Sequence, residues 1–173
     1  YMVNNWSKIT LAMHRLYEDL QSPQWLINES YCGGFWDTLR RNGFVLWTNA
    51  FVYDAFNMGS LVAKAIGDTI CYNWWKANAT NVYNGIQTYL YNSSLGYFES
   101  FYNGTYFGGE FDASANMLAI IFNVATGGQA INIMHKAHDV ASLTVFPIRT
   151  ITPSYPSTMD SQHWQYRENG GIF

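Results

Sequence analysis

The chain has 173 residues and a net charge of −3 with no run of Lys or Arg, enough for one domain with a core and the wrong charge for a nucleic-acid partner. Charged residues make up 12% and aromatics 18%, so Tyr, Trp and Asn supply polar surface that Lys and Glu usually provide; this suits a secreted, glycan-facing or glycan-bearing protein, although a large buried fraction would give the same balance. No stretch approaches the roughly 20 apolar residues of a membrane span, no signal peptide is visible, and the chain from Tyr1 to Phe173 reads as a segment of something longer.

Residues 5–20 carry Trp6, Ile9, Met13, Leu16, Tyr17 and Leu20 at spacings of three and four, which predicts a helix ended by Ser22-Pro23. Residues 21–46 read as irregular. Residues 47–66 predict a strong helix whose inward stripe is Trp47, Ala50, Phe51, Ala55, Met58, Leu61, Val62, Ala65 and Ile66. Gly67 suits the residue after that helix and Asp68 the cap of the next, over 69–91, with Ile70, Trp74, Tyr83, Ile86 and Leu90 inward. Residues 94–111 are aromatic-rich, with Asn103-Gly104 as a turn, and read as a small β-hairpin or extended loop. Asp112 can cap a helix over 113–124; Gly127-Gly128 breaks it, and 129–140 form a shorter helix. From 141 the chain is extended, with Pro147, Pro153 and Pro156. Helix pairs separated by loops suggest hairpins stacked around an axis, and no self-similarity appears at the roughly 30–45-residue periods of helical solenoids.

The 21–46 stretch contains Gly33-Gly34-Phe35-Trp36-Asp37. A carboxyl between large aromatics is expected to hold its proton to higher pH, as a general acid working near neutrality requires, and aromatic surface is what sugar rings stack on. The alternative for Asp37 is a helix cap or a salt bridge to Arg40 or Arg41. Among the other acids, Glu18, Asp19, Glu29, Asp54 and Asp139 fall on expected helix faces or ends and read as solvated, Asp68 and Asp112 as caps, Asp160 as structural, and Glu99 and Glu110 as possible contacts for sugar hydroxyls. Trp36, Trp164 and Tyr166 are loop aromatics suited to stacking, whereas Trp47, Trp74 and Trp75 read as core. His135 and His138 share a helix face without a third ligand, so no metal site is expected, and no phosphate loop or nucleophile elbow points to a cofactor.

Asn5, Asn28, Asn78, Asn92 and Asn103 each begin an N-glycosylation sequon, which agrees with export and an extracellular location. Cys32 and Cys71 have no metal-binding spacing, and whether they pair is left open.

Taken together, Trp25-Leu-Ile, Gly34-Phe-Trp-Asp-Thr, Arg41-Asn-Gly, Asn49-Ala-Phe, Ala65-Ile-Gly-Asp, Gly96-Tyr-Phe, the Asn116 helix and Tyr166-Arg-Glu-Asn-Gly-Gly resemble the six-hairpin glycosidases, the (α/α)6-toroid group of glycogen-debranching-type glucosidases, neutral invertases and α-rhamnosidases. The resemblance implies an all-α toroid of which this chain covers half to two thirds, with a small β-hairpin insertion and the remaining hairpins outside the segment or on another subunit. It implies a glycoside hydrolase, acting on oligo- or polysaccharides by acid/base catalysis and inverting, as many of these families do, with Asp37 as general acid. Glu168 is the nearest match for the base, although Arg167-Glu168 interrupts the family's Tyr-x-Asn-Gly pattern. Trp36, Arg41, Asn49, Tyr53, Trp164, Tyr166 and Asn169 fall at sugar-binding positions; for Asn49, a packing hydrogen bond between helices is the competing role. A non-catalytic glycan-binding or structural protein on the same scaffold, and a sugar lyase or phosphorylase, are the competing classes.

Overall fold

The computed structural model describes residues 3–30, 41–105, 109–142, 150–153 and 155. Five α-helices lie among them: α1 (Trp6–Glu18), α2 (Leu46–Ala65), α3 (Thr69–Tyr89), α4 (Ala113–Ile121) and α5 (Gly128–Ser142). They account for most of the 61% helix content of the described residues, and none of them is long and apolar enough to cross a membrane. The α2–α3 turn follows the expected chemistry. Gly67 takes φ +82°, which a Cβ would oppose, and its N–H and that of Asp68 donate to Lys64 O and Ala63 O at 3.2 and 2.9 Å. The Asp68 carboxylate then accepts from Cys71 N and from Trp6 Nε1, each at 2.9 Å, capping α3 and tying the start of α1 to it.

The buried face of α2 is not the stripe expected from its bulky residues. Leu46, Asn49, Ala50, Val52, Phe56, Ser60 and Ala63 are buried, whereas Phe51, Met58 and Leu61 are 44–51% exposed. The reason is packing. α2 lies closely along α3, and a Cβ at Gly59 would come within 3.1 Å of the fully buried Trp75 ring, so small residues define the contact face. Ile70, expected inward on α3, is 84% exposed, while Trp75, Val82, Ile86 and Leu90 join Phe56, Phe98, Phe111 and Ile133 in the core.

Residues 21–46 are less irregular than expected. Among the described residues, eight short strands accompany the helices: β1 (Leu20–Gln21), β2 (Leu26–Ser30), β3 (Asn42–Val45), β4 (Tyr91–Asn92), β5 (Tyr97–Phe98), β6 (Phe101–Tyr102), β7 (Phe111–Asp112) and β8 (Ile151–Thr152). They form antiparallel sheets in the orders β1-β2-β3-β6, β4-β5 and β7-β8. The expected hairpin within 94–111 is replaced by two different pairings: β5 returns to β4, while β6 crosses to β3. Strands of two to five residues are too short to show an alternating pattern, and long-range pairing decides them.

These pairings reveal a repeated unit. After α1, Leu20 and Gln21 pair with Ile27 and Leu26; after α3, Tyr91 and Asn92 pair with Phe98 and Tyr97. β3 enters α2 beside β6, with Leu46 N donating to Ser100 O at 2.9 Å, and β7 enters α4 beside β8, with Ala113 N donating to Thr150 O at 2.8 Å. A buried asparagine one turn into each helix closes the unit. Asn49 Oδ1 accepts from Ile27 N (2.8 Å), and its Nδ2 donates to Ile27 O (3.1 Å) and Val45 O (2.9 Å). Asn116 Oδ1 accepts from Phe98 N, and its Nδ2 donates to Phe98 O and Asp112 O, all at 3.0 Å. The spacing between the two exceeds the roughly 30–45 residues of common helical repeats.

Candidate functional site

Four short segments converge where α2 and α4 begin. Arg41, just before β3, is fully buried, and its Nη1 lies 3.6 Å from Oδ2 of Asp112, itself fully buried. The other Asp112 oxygen caps α4, accepting from Ala115 N at 3.0 Å and Ser114 Oγ at 2.7 Å. Asp112 is therefore the expected cap and also a buried ion-pair partner. Among the described residues, neither Asp112 Oδ2 nor any guanidinium nitrogen of Arg41 makes a hydrogen bond. Tyr155, six per cent exposed, donates to Ser100 Oγ. Burial drives its phenol well above the ordinary tyrosine range; the Arg41 charge opposes this, and Asp112 and Glu110 add to it. Arg41, Asp112, Tyr155 and Glu110 thus share one electrostatic environment. Arg41 immediately follows residues 31–40, and Tyr155 precedes residues 156–173.

Two further acids, Glu29 and Glu99, are buried. Glu29, expected to be solvated, is 9% exposed and accepts from Thr48 Oγ1 in the first turn of α2. Glu99 is 2% exposed; its oxygens accept from Asn92 Nδ2 at 2.9 Å and Gly109 N at 3.2 Å. Burial raises its pKa despite those two donors, with a further contribution from the Glu110 charge. The same burial and the same two carboxylates push the Tyr97 phenol, which donates to Gly109 O at 2.5 Å, up to about 12. Glu99 and Tyr97 both bind the backbone of Gly109, which fastens it to the β4–β5 region.

Of the residues singled out from the sequence, Asp37, Glu168, Trp36, Trp164, Tyr166, Asn169 and Cys32 lie outside the described residues. Arg41 has the geometry of an anchor, facing Asp112. Asn49 spends its donors and acceptor on the backbone of Ile27 and Val45. Tyr53 turns toward α3, its ring 5.9 Å from that of Tyr83. Burial and the charges of Tyr83 and Asp54 raise its pKa. Of the sequon asparagines, Asn28 and Asn103 are exposed and Asn5 is half-buried. Asn78 is 4% exposed and donates to Trp74 O, and both ends of the Asn92 amide are engaged, by Glu99 and by Ser94 N and Leu95 N. Cys71 forms no disulfide with a described residue; burial and the adjacent Asp68 raise its pKa to about 11. Asp112, Ser100 and Tyr155 were not singled out as site residues. A buried pair such as Arg41–Asp112 leaves no local signature, because its members are far apart in sequence and meet only through strand pairing.

The chain matches no protein-family model and no curated protein. Among solved structures it is similar to the GH78 family rhamnosidase of Bacillus sp. GL1, with a TM-score of 0.63 and 17% identity, over 78% of this chain and 14% of that one. At that identity the likeness shows the fold alone: a helix-rich arrangement with small antiparallel sheets that also occurs within a glycosidase.

Proposed function

We infer that the chain is part of a glycoside hydrolase built on an (α/α)6 toroid, with Asp37 as general acid and Glu168 as the base or a hydroxyl ligand. The observation that carries this reading is the meeting of Arg41 and Tyr155 at the start of α4. Each lies beside one of the two segments that hold the proposed acids, so the roots of both segments share one buried electrostatic cluster. In an inverting enzyme the two carboxyl groups stand roughly 6.5–9.5 Å apart, leaving room for the attacking water. Trp36, Trp164, Tyr166 and Asn169 line the sugar subsite in this reading. Arg41, Asn49 and Tyr53 act behind it: Arg41 and Asn49 fix the strand–helix junction, and Tyr53 packs α2 on α3.

The chain spans 14% of the rhamnosidase it resembles, and two apolar grooves bear on what completes the site. One, of about 410 Å³, runs between α1, β2 and α2 past Leu16, Ile27, Trp47, Phe51 and Ala55. The other, of about 450 Å³, lies between α4 and α5 along Ala113, Met117, Met134, Ala137 and Ala141. In this reading, further helical hairpins pack against these grooves and complete the toroid. The secretory setting, with glycans on accessible sequons, belongs to the same reading.

Asp37→Asn in the complete protein tests the assignment. General acid catalysis contributes about 10²–10⁴-fold, so hydrolysis of unactivated oligosaccharides should fall by that factor, with less loss on aryl glycosides whose leaving groups need no proton. Full retention of oligosaccharide cleavage by a folded Asp37→Asn variant removes Asp37 from the mechanism.

A further inference from the structure

A groove of about 480 Å³ opens between the β2–β3–β6 sheet and the C-terminal end of α3, within the usual range for small-ligand pockets of roughly 300–1,000 Å³. Every residue lining it is uncharged, so neither a metal ion nor a phosphate has a counter-charge there. Gln21, Gln24, Asn28 and Asn42 present side-chain amides, each able to donate and accept at once. Tyr89 and Tyr102 supply an aromatic wall, their rings stacked at 5.9 Å and 23°. Gly43 also lines it, at φ +114°, where a Cβ would lie 2.2 Å from Tyr102 O, so the close approach of β3 and β6 requires glycine there.

We propose that this groove binds a saccharide ring, with its apolar face on the tyrosine pair and its hydroxyls on the amides. Planar amides and aromatic faces without charge match a neutral polyol, whose hydroxyls are each donor and acceptor and whose C–H face is apolar. The ring has two possible sources, a free oligosaccharide or the protein's own N-linked glycan. Asn28 and Asn103 line the groove and begin sequons, and both are exposed. Asn28 Nδ2 donates to Gln21 Oε1 at 3.3 Å, and Asn103 Oδ1 accepts from Thr105 N and Oγ1, each at 3.1 Å. The site differs from the Arg41–Asp112 cluster in residues and in charge, and the proposal stands or falls apart from the hydrolytic reading.

The test uses the complete protein from a host without N-glycosylation and from a eukaryotic secretory host. In the first arm, the unglycosylated protein is titrated with malto-, cello-, xylo-, manno- and chito-hexaose while the Asn and Gln side-chain amide resonances are followed. A free-ligand site predicts shifts at Gln21, Gln24 and Asn42 for at least one sugar, and about tenfold or greater weakening in Gln24→Leu/Asn42→Leu. In the second arm, glycopeptide mapping and nuclear Overhauser contacts ask whether a glycan on Asn28 or Asn103 lies against Tyr89 and Tyr102. Either result supports the proposal and names the source. It is overturned if no sugar moves those amides and no attached glycan touches the tyrosines. Oligosaccharide hydrolysis by the same Gln24→Leu/Asn42→Leu variant, compared with Asp37→Asn, separates failure of the groove from failure of the hydrolase reading.

Discussion

At the start of α2, Asn49 holds β2 to the helix by two hydrogen bonds to Ile27 and donates a third to Val45 O one turn back; at the start of α4, Asn116 does the same with Phe98 of β5 and Asp112 O. Around these two clamps the chemistry diverges. α2 begins after Val45, which offers no side-chain cap, and its first turn uses Thr48 to bind the buried Glu29. α4 begins at Asp112, which caps the helix with one oxygen and faces Arg41 from the first unit with the other. The clamp is common to both units, so it belongs to the architecture. The charged pair occurs at one junction and links the two units, so it bears on the site.

The comparison is most exposed to a test at the asparagines. Asn49→Ala and Asn116→Ala each remove both partners of a strand peptide group, the N–H and C=O of Ile27 or of Phe98, and each should cost about 3–5 kcal/mol in urea unfolding of the complete protein. Costs that differ by more than about 2 kcal/mol would show that the clamps are alike in geometry only. The ion pair comes next. Arg41→Met leaves the Asp112 charge buried alone and should cost about 3 kcal/mol, while Arg41→Met with Asp112→Asn, which keeps a capping oxygen, should recover more than half of that. No recovery in the double variant would mean that Arg41 acts through other partners.

The smallest effect concerns Glu99. Its folded-state pKa is raised, so the folded protein binds that proton more tightly than the unfolded chain does. The corresponding stability is present below the ordinary glutamate range and is lost as pH rises through the raised value. The melting temperature of the wild type should therefore fall more steeply across that window than that of Glu99→Gln. Parallel curves would remove Glu99 as the origin of the slope.

The sequence expressed some elements directly. The α2–α3 turn was legible because Gly67 and Asp68 act on neighbouring backbone groups, and the Asp112 cap for the same reason. The face of α2 was not legible, since bulky residues mark an apolar stripe, yet α3 selects the side with Ala50, Gly59, Ser60 and Ala63, where the backbones can approach. The buried cluster was legible only in part: Asp112 reads as a helix cap and Arg41 belongs to the Arg41-Asn-Gly resemblance, whereas Ser100 and Tyr155 carry no local mark, and Asp37 and Glu168 lie outside the described residues.

By itself the sequence determined where the helices run and the Asp68 and Asp112 caps of α3 and α4, which depend on residues within a turn or two of one another. Tertiary structure alone decided which helix faces are buried, that β6 crosses to β3 and β8 to β7, and that Arg41 meets Asp112. Those outcomes join groups tens of residues apart, and their free energy exists only once the chain has brought them together and excluded water from between them.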